Sequence, residues 1–313
     1  MPISNFPNGF THGVTIRGVP VVQAHPGQVF FVNNSSVLAP GGIGGSNGNP
    51  GTYQKPFSTI NYAVTQCVAG RGDVILVMPG HAESVASAGA IAINKSGVAI
   101  VGLGVGSLRP TLNFTATTST ITMSAANCSL VNILLTGGID AVAKMIVVSA
   151  ADCTIERCEL RDVTGQMTDG ILTTAGADRL KILRHVHKGD TAAGTNAAIA
   201  IVGGDRIEIQ ADVIDGNFAV GGIDIRTTAT TNLYVHDVGR FYTRNSADIF
   251  IVDTITGSTG QIGPYINLRL TDNAANITES CTGATFVYMQ PINVVNLAGE
   301  SSMQINITAS TDA

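Results

Sequence analysis

The sequence predicts an all-β protein, a parallel β-helix with about 25 residues per coil, preceded by an extended N-terminal arm and a short capping helix. Three observations predict it: two interleaved series of short β-rich runs sharing one period, a recurrent Asn/Asp corner before one series, and a composition suited to covered strands. The first series centres on Ile121, Ile146, Ile171, Ala200, Ile223 and Ile249, with steps of 25, 25, 29, 23 and 26. The second centres on Leu130, Ile155, Leu180, Ile207 and Leu233, with steps of 25, 25, 27 and 26. A unit of this length cannot bury its apolar face alone, whereas stacked units can, with parallel strands about 4.8 Å apart. A leucine-rich repeat has a similar period, but its Leu-x-x-Leu-x-Leu pattern is missing.

The corners come next. Asn127, Asp152, Asp178, Asp205 and Asn232 each precede an alternating apolar segment. Asn and Asp tolerate the left-handed conformation and bond their own backbone, which suits a corner before a strand. The alternation puts Ile155, Ile207 and Ile209 inward and Glu156, Lys181 and Glu208 outward, the last three as a ladder of alternating charge. Stacking places Cys128 beside Cys153 on adjacent rungs, and Ile155, Leu180 and Ile207 in one buried row.

Composition agrees. Charged residues make up 12% of the 313, Gly contributes 36, and Trp is absent. Soluble chains average about 25% charged residues and about 7% Gly. Few charges and many glycines fit mostly covered strands and recurring tight corners, and exclude a disordered chain. The net charge of −5 and the lack of any Lys/Arg run argue against a nucleic-acid partner. No apolar run approaches a membrane span, and no basic stretch leads an apolar one as in a secretory leader, so assembly in a cytoplasm is expected. The five Cys, at 67, 128, 153, 158 and 281, lack C-x-x-C spacing and read as free buried thiols.

Three regions follow. Residues 1–50 lack the repeat and read as an arm and Gly-rich linker, with Pro2, Pro7, Pro20, Pro26, Pro40 and Pro50 and the run Gly41–Gly51. Residues 51–255 read as the β-helix. Within them Phe57, Ile60, Ala63, Val64, Cys67 and Val68 fall at helical spacing behind Ser58 or Thr59 as cap. That helix covers the open end of the first coil, which otherwise exposes core and unpaired backbone. Residues 256–313 read as a different, terminal β layer, with strands at Phe286–Tyr288, Asn293–Val295 and Gln304–Ile307. The apolar arm residues Phe10, Ile16, Val19, Val21, Phe30 and Phe31 read as a binding surface for another chain, with an extra edge strand on the chain's own β-helix as the alternative.

Candidate chemistry is sparse. The richest acidic neighbourhood is Asp152, Glu156, Glu159, Asp162 and Asp169, and Glu159 and Asp162 could meet at a corner. The interleaved Arg157 and Arg161 would neutralise such carboxylates rather than prepare one for acid catalysis. His185 and His187 point two imidazoles to one face, a spacing open to a metal with Asp190, though exposed or corner histidines are the plainer reading. Arg71-Gly-Asp73 is explained by a corner before a strand. Gly102-Leu-Gly-Val-Gly106 lacks the G-x-G-x-x-G spacing and is a turn. No catalytic residue, cofactor or metal is expected, and the chain is not expected to be an enzyme.

The stretch Phe31-Val-Asn-Asn, the Gly/Asn-rich run, Lys55-Pro-Phe-Ser-Thr-Ile-Asn-Tyr-Ala63 and Gly72-Asp-Val-Ile-Leu-Val-Met-Pro-Gly80 resemble the start of pectate-lyase-like β-helices. Asn5-Phe-Pro-Asn-Gly-Phe10 and Val14-Thr-Ile-Arg-Gly-Val-Pro20 resemble virion proteins of tailed bacteriophages. The resemblance spans most of residues 1–255. It implies a right-handed coil and a structural virion protein of the head-decoration (cement) type, carried on the capsid surface. The implied partner is the major capsid protein, reached through the arm, with self-association as a homotrimer. The alternative within the same resemblance is a tailspike or tail-fibre receptor-binding protein, with polysaccharide cleavage as a further option.

Overall fold

The computed structural model describes residues 15–16, 19–20, 27–36, 38–162, 167–189, 195–243, 249–270, 279–281, 283–296 and 302–304. The described chain is a parallel β-solenoid of about seven turns with ~26-residue spacing. Each coil contributes strands to three faces. The first face runs through Val74–Val77, Ala99–Gly102, Ser129–Val131 and Thr154–Glu156, and the second through Ala82–Val85, Thr111–Phe114, Leu134–Gly137 and Glu159–Asp162. The long strands Lys181–Lys188 and Glu208–Gly216 pass through the corner between these faces and join them into one 18-stranded sheet. The third face is a separate eight-stranded sheet, from Ile91–Ile93 to Glu279–Cys281.

Residue pairing explains the stability of the stack. On the third face Ile91, Ile121, Ile146, Ile171, Ile199, Ile223 and Ile251 lie one above another, all buried. On the first face Ile75, Ile100, Leu130, Ile155, Ile182, Ile209, Val235 and Ile262 do the same. β-Branched side chains, stiff at χ1, pack well in such columns. Full burial of each contributes about 1.5–3 kcal/mol before the cost of ordering the chain.

These columns correct the expected register. Ala200 and Ile249 are displaced from the third-face column by Ile199 and Ile251. Leu180 and Ile207 are buried, but they stack one row away from Ile155, because the coil from Ile155 to Ile182 is two residues longer than the one before it. The charge ladder is shortened for the same reason: Lys181 lies beside Glu208 at 3.5 Å, while Glu156 lies beside Leu183 and pairs with Arg157. Cys128 and Cys153 do occupy adjacent rungs, with Thr154 N–H donating to the Cys128 carbonyl at 2.9 Å. Cys67, Cys128, Cys153 and Cys158 are buried free thiols, and burial pushes Cys67 up to about 12 and Cys153 and Cys158 up to about 11.

The left-handed corners form their own columns. Before the first-face strands they are Asn127, Asp152, Arg179, Arg206 and Asn232, at φ 53–59°. Asn and Asp take this conformation in three coils, as expected, but in two coils the strained position passes to an arginine one residue after Asp178 and Asp205. Hydrogen bonds along the corner compensate: Arg179 binds Asp152 through two bonds of 2.6 and 2.8 Å, and Asn232 donates to Asp205 at 2.7 Å.

The ends differ most from expectation. The helix Ile60–Gln66 is present, with Thr59 as N-cap accepting from Tyr62 N–H, and it buries Ile60, Ala63 and Val64 against the first coil. Ahead of it, Val29–Val32 pairs in parallel with Val74–Val77, adding one more rung. The boundary at residue 50 is therefore corrected: the solenoid begins at about residue 27. Nor is the Gly/Asn-rich stretch a free linker. Asn49 donates to the Pro56 carbonyl, Asn47 accepts from Ser58 N–H, and Phe31 N–H donates to the Gly51 carbonyl. Gly45 lies so close to the Asn33 carbonyl that a Cβ would stand 1.6 Å from its oxygen. This loop closes the edge of the first rung. At the other end the coil does not change layer at residue 256. Thr285–Tyr288 and Ile292–Asn296 continue the first two faces in parallel, and among the described residues of this end only Ser302–Gln304 turns antiparallel.

Candidate functional site

Of the expected arm residues, Phe10 and Val21 lie outside the described residues. Ile16 and Val19 pair with one another in a small antiparallel ladder, Thr15–Ile16 with Val19–Pro20, which forms a sheet of its own. Phe30 and Phe31 stand on the solenoid's first rung and not on a separate arm. Phe30 is 8% exposed and packs on Phe57 at 5.8 Å between ring centres, so it belongs to this chain's own core. Phe31 is half-buried, its ring edge-on to Tyr53 at 5.5 Å. Both stand on the extra rung, where alternation sends one side chain in and its neighbour out.

The acidic neighbourhood is not a single site. Asp152 is taken by Arg179 on the corner column. Glu159 is on the second face, bound by Arg161 at 2.5 Å, Lys188 at 2.9 Å and Arg109 at 3.1 Å. Burial alone would raise its pKa, but the Lys188 and Arg161 hydrogen bonds hold the carboxyl below the usual range. Asp162, on the same strand, accepts from Met167 N–H rather than meeting Glu159. Arg71 binds Asp73 through bonds of 2.6 and 2.7 Å, and Asp73 also accepts from Val68 and Gln28, so the Arg-Gly-Asp tripeptide is locked into its corner.

Asp169 belongs elsewhere. It opens a third-face strand, and Arg226, 57 residues on, donates to it at 2.5 Å and to Asp224 at 3.1 Å. The guanidinium reaches across two coils, about 10 Å of stacking. Asp169 and Asp224 are each 3% exposed. Burial raises both carboxyls despite Arg226, and the neighbouring charges of Asp169 and Asp253 raise Asp224 further. One oxygen of Asp169 and one of Asp253 are buried without a hydrogen bond. Carboxyls that hold their protons unusually well are the chemistry of a proton donor. Here both are clamped by one cation and closed to solvent, so the group acts first as a structural ion cluster. Sequence reasoning found Asp169 but missed Asp224, Arg226 and Asp253.

His185 and His187 are fully buried and not exposed, with ring centres 6.4 Å apart, and His185 follows the left-handed Arg184 at the corner that its strand crosses. Burial lowers their pKa values to about 4 and about 3. His187 packs on Phe218 at 5.6 Å, so the pair serves as neutral core. Asp190 lies outside the described residues, and no group of three or more His, Cys, Asp or Glu suited to a metal occurs among the described residues.

A different set of polar and aromatic side chains gathers in the later coils. Tyr234 stacks on His236 at 4.1 Å, and His236 contacts Glu208 at 3.2 Å and Asp237 at 2.8 Å. Arg269 and Arg240 stand over the Tyr242 ring at 5.5 and 6.0 Å, and Tyr265 is 60% exposed at φ 62°. The signal was available in the sequence, since four of six tyrosines fall between 234 and 288. No protein-family model, no curated protein and no solved structure matches the chain.

Proposed function

We propose that this chain is a structural, non-catalytic virion protein of the phage head-decoration type. In this reading the solenoid is a rigid spacer on the capsid surface, and the arm anchors it to the major capsid protein. One observation carries the reading: the Thr15–Ile16/Val19–Pro20 ladder joins neither solenoid sheet, while the solenoid closes its own N-terminal edge with residues 33–57. The apolar sequence Val14–Val22 is then surplus to the repeat. An apolar sequence of that kind suits a binding segment, and its burial against a partner would contribute about 25 cal/mol per Å². A homotrimer would multiply the affinity of each arm without new kinds of contact.

The test is co-sedimentation with undecorated heads. Removing residues 1–26, which spares the rung at Val29–Val32, should leave the melting temperature within a few degrees of the parent and abolish head binding. Equal binding by the truncated protein would sink the anchor. The tail-protein alternative is favoured by the tyrosine-rich later coils, where Tyr265 and its neighbours offer flat rings beside cations and carboxylates. Binding of both forms to tails or to a host glycan, with none to heads, would put that alternative in its place.

A further inference from the structure

Charge is spread unevenly along this chain. Residues 1–72 contain no Asp or Glu, and their only Lys or Arg residues are Arg17, Lys55 and Arg71. Everything after them carries all 22 acidic residues and the other 14 of the 17 basic ones, a net of −8. Exposed apolar side chains gather at both ends, with Tyr265, Val287 and Met289 60%, 60% and 40% exposed at the far one. Only the first end combines them with so long a stretch free of acidic residues. Val29, Leu38, Ile43 and Tyr53 are 44–48% exposed on or beside the first rung, and Val105 and Leu108 are 82% and 45% exposed at a corner nearby. Among the described residues from Arg109 to Pro264, no large apolar side chain is comparably exposed.

These residues hang together through the backbone. Tyr53 meets Phe31, the neighbour of Val29 but one, and Ile43 N–H donates to the carbonyl of Gln54, next to Tyr53. Leu38 and Ile43 flank the turn closed by Gly42 N–H and the Ala39 carbonyl. The Leu108 carbonyl accepts from Gly80 N–H, one coil along. The N-terminal end of the solenoid is thus folded and edge-closed, yet apolar and almost without charge.

We infer that this end is a self-association surface, and that its occupant is the same end of a second copy of this chain. Interface cores are depleted of charged residues, as this end is. The bodies of two copies, each net negative, repel when they lie side by side. The carboxylates at their N-terminal ends are covered and partnered, Asp73 by Arg71 and Glu83 by the Ile60 N–H, so association is directed there. One patch that fits itself about a two-fold axis closes a dimer instead of propagating a fibre. The inference rests on the self-association in the reading above, with a two-fold dimer in place of the trimer, and not on the capsid location.

The experiment is sedimentation velocity on the full chain across micromolar concentrations. The parent should be oligomeric, and added salt should leave it so, because screening relieves repulsion between the bodies. The double variant Ile43→Asp/Val105→Asp should run as a monomer, with association weakened about a hundredfold or more, since each new carboxylate must be desolvated. Its melting temperature at low concentration should match that of the parent, because both side chains point to solvent. Val287→Asp, at the far end, should stay oligomeric. A monomeric parent sinks both the oligomer and the surface. An oligomer that survives the double variant, dissociates in salt or yields to Val287→Asp instead keeps the oligomer and sinks the surface.

Discussion

Two buried ion clusters in one solenoid make opposite use of the same chemistry. On the second face, one carboxylate, Glu159, is surrounded by Arg109, Arg161 and Lys188. On the third face, one guanidinium, Arg226, is shared by Asp169 and Asp224, with Asp253 near. The first cluster has surplus positive charge and the carboxyl is held below its ordinary pKa; the second has surplus negative charge and both carboxyls are held above theirs. Burial pushes all three the same way, so the difference is made by the ratio of cations to carboxylates.

The ratio predicts where each cluster is fragile. Arg226→Met should be the most damaging surface-accessible change, because it leaves two buried carboxylates without their cation; a loss of about 3–5 kcal/mol is expected. Acid should partly rescue it. Both carboxyls have folded pKa values raised above the unfolded ones, so their contribution is fully present below the unfolded value and is lost as pH rises through the folded value. Urea unfolding at pH 7 and pH 5 measures this, and a variant equally weak at both would break the comparison.

The histidine pair sharpens it from the other side. His185 and His187 have folded pKa values lowered to about 4 and about 3. Their contribution is complete above the unfolded value, near 6.5, and is lost as pH falls towards 3, at ~1.4 kcal/mol per pH unit for each group in its window. His187→Leu should therefore flatten the acid limb of the stability curve by ~3 kcal/mol or more between pH 6.5 and 3. An unchanged limb would show that the imidazole is not neutral core. Glu159→Gln is a smaller change, about 1–3 kcal/mol at pH 7, because Arg161 and Lys188 are 42% and 48% exposed and water can replace the lost partner. Unlike Arg226→Met, it should gain nothing from acid; parallel pH profiles for the two variants would erase the distinction.

Much of this architecture was legible and some of it could not be. The period, the inward isoleucines and the Thr59-capped helix follow from spacing, which the backbone enforces locally. Register drifted after Ile155 because one coil gained two residues, and a shift of two preserves the inward/outward alternation that the eye follows. Arg179 and Arg206 at left-handed corners were illegible, since arginine has no intrinsic preference for that conformation and is held there by Asp152 and Asp205. The loop at residues 33–57 was misread because Gly and Asn signal flexibility by composition, whereas here Asn47 and Asn49 tie it to Ser58 and Pro56. The Asp169–Arg226 pair was out of reach because its partners are 57 residues apart and only the two-coil stacking brings them together.

The weakest expected effect tests whether burial, and not pairing as such, gives the two clusters their importance. Lys181 and Glu208 lie on adjacent rungs at 3.5 Å, with side chains 55% and 29% exposed. They are opposite charges in direct register on adjacent strands, but water reaches the lysine head. Exposed pairs contribute about 0–1 kcal/mol, offset by the entropy of holding a long side chain and screened by salt. Glu208 keeps a second contact to His236 at 3.2 Å, so losing the lysine does not strand it. Lys181→Ala should then shift the urea midpoint by no more than about 0.5 kcal/mol equivalent, and the shift should vanish in molar salt. A loss near that of Arg226→Met would mean that stacked charges along the faces support the coil wherever they occur, and the contrast between the buried clusters would no longer need their burial to explain it.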